Sequence, residues 1–387
     1  MDALTLLALL PLLATLVVAL AVWFIAPAAA RGTMERFANT NEGLKPSKFK
    51  SQGRTHYYQL PQGSPVGVLF VLPGCARWGP GFWPYDKASC PECVGLTEDV
   101  SHAKQALAAG YAILVGWPVD RAFPGQYCWT KDDHDTVGAI LEDFVAAFSL
   151  KGKPIVVMGA SSGGSVAQRL PALLAWKKSS LVVSGVLAEV ATKLDVPDMV
   201  KGTSHHPPRV WVAMGANPGE IANAKRRVAD YSAFGPAAMV VSPVRPVTDD
   251  YFSNRHPQIT PEQSRELVGA MKRIGLLKDN GTFAIDFKKD KTWVKKLQQQ
   301  VPWLRSSPAY ALTPTKGSAI LQAMLLARAQ HEHVSDYLTA ALKWFEAGGA
   351  GSFDAFVKQY RVTRPAALTM TRRAPGAPPG PPDAYAS

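Results

Sequence analysis

The sequence predicts an α/β protein with a mostly parallel sheet and helices on both faces. Two observations carry this. Short apolar runs alternate with helical periodicity from about residue 66 to residue 241, which is the pattern of βαβ units. One of those runs, Ile155 to Met158, passes directly into Gly159-Ala160-Ser161-Ser162-Gly163. That segment matches G-x-S-x-G, in which a serine sits at a sharp strand-to-helix turn with its hydroxyl lifted clear of the sheet.

The chain has 387 residues, enough for one large α/β domain with additions or for two ordinary ones. Its 47% hydrophobic and 19% charged content suits a globular core. The net charge of +12 is spread along the chain. No basic-aromatic motif accompanies it, so no nucleic-acid partner is expected.

Residues 3–30 contain no charge, and a membrane span needs about 20 such residues. A cleaved signal peptide is the rival, given Ala28-Ala29-Ala30. The length of the apolar run and Asp2 in place of a basic start favour an uncleaved single-pass anchor. Arg31 and Arg36 on its C-terminal side would keep the body cytosolic. Residues 31–53 read as a juxtamembrane linker and 54–360 as the folded domain. The Pro/Ala/Gly-rich stretch 361–387 reads as a disordered tail.

Thr55 to Leu60 and Val66 to Leu72 read as a hairpin joined by a turn-rich PQGSP. The second of these strands ends in Pro73-Gly74-Cys75, where a loop amide can face the serine. A long loop from Cys75 to Leu96 follows. Its Trp78, Phe82, Trp83 and Tyr85 suggest an aromatic lid beside the site. Cys75, Cys90, Cys93 and Cys128 are the four cysteines, and they permit two disulfides, one metal site or free thiols. Their spacing is not that of a zinc ribbon, so disulfides are favoured and no metal or other cofactor is expected. Disulfides imply an oxidising compartment, in conflict with the charge-based topology.

Further along, Ser101 to Gly110 reads as a helix, Tyr111 to Trp117 as a strand and Asp133 to Phe148 as a helix. A helix to Trp176 follows the serine turn. Strands are expected at Leu181 to Leu187, Val210 to Met214 and Ala237 to Val241. The C-terminal third is helical, opened by the capping box Thr260-Pro261-Glu262-Gln263.

With these pieces in place, the chain resembles a group of α/β-hydrolase-like proteins from plants and algae. The shared segments are LPGC to CPECVGL, Cys128-Trp129, GASSGG, PPRVWVAMG, DDYFSNR and QHEHVSD to KWFEAGG. They span most of Val66 to Gly349. The resemblance implies an α/β-hydrolase fold and a serine hydrolase, and delivers no substrate; the anchor and the aromatic lid suggest a small-molecule or lipid-like ester.

Ser161 is then the nucleophile, because it alone has glycine two residues to each side; Ser165 falls inside the following helix. The amides of Ser162 and of Gly74 or Cys75 are the oxyanion donors. His331 lies in the segment resembling the family's late His-Glu motif and is preferred as base. His256, in the usual chain position after the last strand, is the alternative, with His205, His206 and His333 behind it.

The acid is less clear. The family's Met-Pro-Arg-Asp is Met214-Gly215-Ala216-Asn217 here. Asn217 and Glu220 read as a helix capping pair, which leaves Asp195 as the acid by position. A non-enzymatic protein of this fold, binding a ligand or partner, is the second reading.

Overall fold

The computed structural model describes residues 41, 43–75, 79–118, 127–306, 310, 312 and 318–369. The apolar segment 3–30, Trp78 and the tail beyond residue 369 lie outside them. Among the described residues no helix is long and apolar enough to cross a membrane.

The strands are β1 (Ser47–Ser51), β2 (Arg54–Gln59), β3 (Gly67–Leu72), β4 (Tyr111–Val115), β5 (Ile155–Ala160), β6 (Val183–Glu189), β7 (Arg209–Met214) and β8 (Ala237–Ser242). They form one sheet in the order β1-β2-β4-β3-β5-β6-β7-β8. β2 runs antiparallel to β1 and β4. From β4 to β8 every pairing is parallel. Strands β3, β4, β5 and β7 are buried along their whole length, as expected where helices cover both faces.

Alternation along the strands sorts side chains between two cores. Val68, Phe70, Leu72 and Val157 face α2 (His134–Ala147) and α3 (Ser161–Trp176). Leu69, Val71, Val156 and Met158 face α1 (Thr97–Ala108) and α10 (Leu338–Glu346) on the other side. Between them come α4 (Val196–Val200) and α5 (Pro218–Tyr231). After β8 the chain makes α6 (Tyr251–Arg255), α7 (Pro261–Arg273), α8 (Thr292–Gln300) and α9 (Ala319–Arg328). These pack around a separate apolar cluster that includes Phe252, Leu267, Phe287, Trp293 and Met324. The predicted capping box at Thr260 and Gln263 opens α7 with both reciprocal bonds formed. α11 (Phe353–Tyr360) follows α10.

Four expectations need correction. β2 and β3 are not a hairpin: β4 lies between them, because β2 completes its ladder antiparallel to β4. The predicted linker contains β1, held by Phe49 against Tyr58 and Phe144 and by Ser51 donating to Asp143. The predicted tail is ordered to residue 369. Arg361 pairs with Asp336, and Val362 is fully buried. Finally, Phe82 and Trp83 are core rather than lid. Both are fully buried, and the Trp83 indole donates to Gln59 at 2.9 Å.

Strand order also locates the crevice. The chain steps from β3 outward to β4, then returns to the other side of β3 as β5. Such a reversal opens a gap above the carboxyl ends of the two strands. Gly74 and Ser161 lie at those ends.

Candidate active site

Ser161 begins α3 in the left-handed region, with φ of 51°. A non-glycine residue held there costs roughly 1–3 kcal/mol and persists only where packing fixes it. The neighbouring glycines supply that packing. A Cβ on Gly163 would collide with the Leu72 carbonyl, and one on Gly159 would collide with the Gly163 backbone. The helix thus starts in contact with the end of β3, and Ser161 takes the apex.

The Ser161 hydroxyl lies 3.1 Å from His331 Nε2. Ser162 has its backbone in the first turn of α3, where amides lack helical partners and favour negative charge. Its hydroxyl accepts from the Trp129 amide at 3.3 Å and touches Cys75 Sγ at 3.4 Å. Cys75 and Cys128 form a disulfide, as do Cys90 and Cys93. The first bond ties the Gly74–Cys75 loop to Trp129 and so to Ser162. Three segments that could surround a developing oxyanion are therefore fastened together.

Asn217, where the resemblance would put an acid, presents an amide. Ala216 N–H donates to the Ala329 carbonyl at 2.9 Å, and Asn217 Nδ2 to that of Gln330 at 3.5 Å. The loop after β7 thus lies against the residues just before His331. Asn217 Oδ1 caps α5 by accepting from the Glu220 amide, and the Glu220 carboxylate accepts from Met214 N–H. Both side chains are engaged in holding the helix end.

Asp195 is not brought to the histidine. Its carboxylate, 71% exposed, pairs with Arg227 at 2.7 Å. The reason is local, since Asp195 precedes the short α4 on the side facing α5, where Arg227 projects. His256 is likewise elsewhere. It is buried against Tyr310, its Nδ1 accepts from the Gln258 amide, and burial first, then the nearby Lys104 charge, push it down to about 4. Ser165 Oγ donates to the Ser161 carbonyl inside the helix.

What sequence reading missed is a buried polar column beneath the serine. Asp99 accepts from His333 Nδ1 at 2.9 Å, and Glu189 bonds His102 Nε2 at 3.2 Å. The place a Gly74 Cβ would occupy is 3.3 Å from Ser161 Cβ and 3.7 Å from His333 Nε2. His333 and Ser161 thus both border the Gly74 backbone. Burial alone would push His102 down, but the charges of Glu189, Asp99 and Glu98 outweigh it and hold the imidazole up. Donor atoms of Asp99, His102 and His333 lie within 4.8 Å of one another, the one group among the described residues whose types could hold a metal ion. In this structure both imidazoles are bonded to carboxylates instead. The acidic pair Glu98-Asp99 at the start of α1 was the available signal, but it also suits a helix dipole.

The strand order, the antiparallel second strand and the serine turn after β5 define the α/β-hydrolase fold. No protein-family model matches the chain, and no curated protein matches it. Similar solved structures include a hyperthermophilic esterase from the archaeon Pyrobaculum calidifontis. It is 12% identical with a TM-score of 0.37, the match covering 56% of this chain and 81% of that one. A hormone-sensitive lipase from a metagenome library is 14% identical with a TM-score of 0.36, covering 56% and 82%. An arylesterase is 13% identical with a TM-score of 0.35, covering 58% and 87%. Resemblance this distant carries no argument about activity.

Proposed function

We propose that the protein is a serine hydrolase of carboxylic esters, small-molecule or lipid-like, anchored to a membrane by its N-terminal apolar segment. The observation that carries the reading is the 3.1 Å contact between His331 and a serine held at a strained apex. His331 takes the Ser161 proton as Oγ attacks the ester carbonyl. The amides of Ser162 and of Gly74 or Cys75 receive the oxyanion. The imidazolium returns that proton to the leaving alcohol as the ester C–O bond breaks, and the same imidazole then activates the water that releases the acid from the acyl-enzyme.

Phosphonate labelling tests this. His331→Ala is expected to slow modification of Ser161 by about 10²–10⁴-fold, the range of general-base assistance. His333→Ala is the comparison, because the Asp99–His333 pair favours a second assignment of the base. Full labelling in His331→Ala with loss in His333→Ala would transfer the role to that pair. Absence of labelling in intact wild-type protein would support the binding-protein reading, which Asn217 at the acid position favours.

The anchor is tested separately. An uncharged segment of this length should keep the full-length protein in the pellet through alkaline carbonate extraction. Release to the supernatant with a new N-terminus near Arg31 would show a cleaved signal.

A further inference from the structure

Lys104 is 1% exposed, and its Nζ is a buried nitrogen without a hydrogen-bond partner among the described residues. An ammonium so placed is costly unless something neutralises or solvates it. It borders a cavity of about 110 Å³ between α1, the loop after Trp83 and the end of α6. The lining includes Lys104, Arg255 and His256 and contains no Asp or Glu. Arg255 is turned to Glu98 and Asp336, and that network already sets three arginines against two carboxylates. It offers Lys104 no counter-charge.

The rest of the lining narrows the chemistry. His256 Nδ1 accepts from a backbone amide, which leaves its proton on Nε2 as a donor. Asn41 Oδ1, also buried and without a partner among the described residues, borders the same cavity. Pro84, Val94, Val100 and Pro257 give it apolar walls. A space of this size admits an ion of about five to eight non-hydrogen atoms.

We propose that this cavity binds a small carboxylate, whose charge is met by Lys104 and whose short chain, bearing a hydroxyl to Asn41, fills the apolar remainder. Burial lowers the amine to about 7, so near neutral pH an arriving anion favours the ammonium, which takes its proton from solvent. Thr97, Val100, Ser101 and Lys104 form one face of α1, while Asp99 and His102 on another face meet His333 and Glu189. The anion site is thus separate from Ser161 and does not depend on its reactivity.

Calorimetric titration of the folded protein with sodium lactate, at mildly acidic pH and against sodium chloride of equal ionic strength, tests the proposal. Saturable binding of lactate and a raised melting temperature are expected. Lys104→Met should weaken lactate at least about tenfold while melting no lower than wild type, since it removes a buried unpaired charge. Val100→Phe, which keeps the lysine and fills the space, should weaken it similarly. No saturable heat with wild type, or unchanged affinity in Lys104→Met, overturns the proposal.

Discussion

Ser161→Ala is expected to abolish phosphonate labelling and to lower ester hydrolysis by about 10⁴–10⁶-fold, the loss typical of removing an activated nucleophile. The two neighbouring serines are otherwise engaged. Ser162 gives its oxygen to the Trp129 amide and Ser165 gives its proton to the Ser161 carbonyl. The fold should be indifferent to the change, because alanine meets the same backbone at φ of 51°. Ser161→Gly should go further, relieving the left-handed conformation and raising stability by about 1 kcal/mol while remaining inactive. Residual labelling of Ser161→Ala at the wild-type rate would place the reactive group elsewhere. Intact-mass spectrometry and a denaturant melt measure the two halves of this result.

The largest effect on stability is expected at Arg255, which is not one of the proposed reacting residues. Its guanidinium forks onto Glu98 at 2.7 and 2.6 Å and reaches Asp336 at 2.8 Å, with all three side chains almost wholly buried. Glu98 also accepts from the amide and hydroxyl of Ser335. Arg255→Met leaves two carboxylates in the core with less positive charge, and should cost about 3–5 kcal/mol in urea denaturation. Adding Glu98→Gln should recover part of that loss by removing one of the stranded charges. A single-mutant loss below about 1 kcal/mol would show that water enters the network and screens it.

The same network sets an acid limit. Burial alone would raise Asp336, but Arg245, Arg255 and Arg361 hold it well below the usual carboxylate range. A carboxylate depressed in the folded state stabilises fully above its unfolded value, about 3.9, and less as pH falls below it. Stability should therefore fall in acid, and less steeply in Arg255→Met.

Features set by neighbouring residues were legible in the sequence. The glycines around Ser161 follow from local crowding, the Thr260–Gln263 box is a matter of three residues, and buried strands read as unbroken apolar runs. Pairings between distant segments were not legible. Adjacency in sequence suggests pairing of β2 with β3, yet the ladder of β2 is completed by β4. Phe82 and Trp83 read as a lid because nothing local shows that Tyr57 and His102 await them. Chain order points to Asp195, whereas the carboxylate bonded to His333 is Asp99, on a helix that precedes the serine.

That helix has a consequence for how the protein is made. Glu98 meets Arg255 157 positions later, and Asp99 meets His333 234 positions later. While the chain is being synthesised, α1 emerges long before the residues that Glu98 and Asp99 pair with in the fold. The strands up to β8 can pair before then, yet the crevice lacks both of its histidines until most of the polypeptide has left the ribosome. Contacts of such separation fold slowly and leave the nascent chain open to chaperones and proteases. A premature stop after the serine turn but before residue 331 yields a chain with that turn encoded in full and neither His331 nor His333 to serve it.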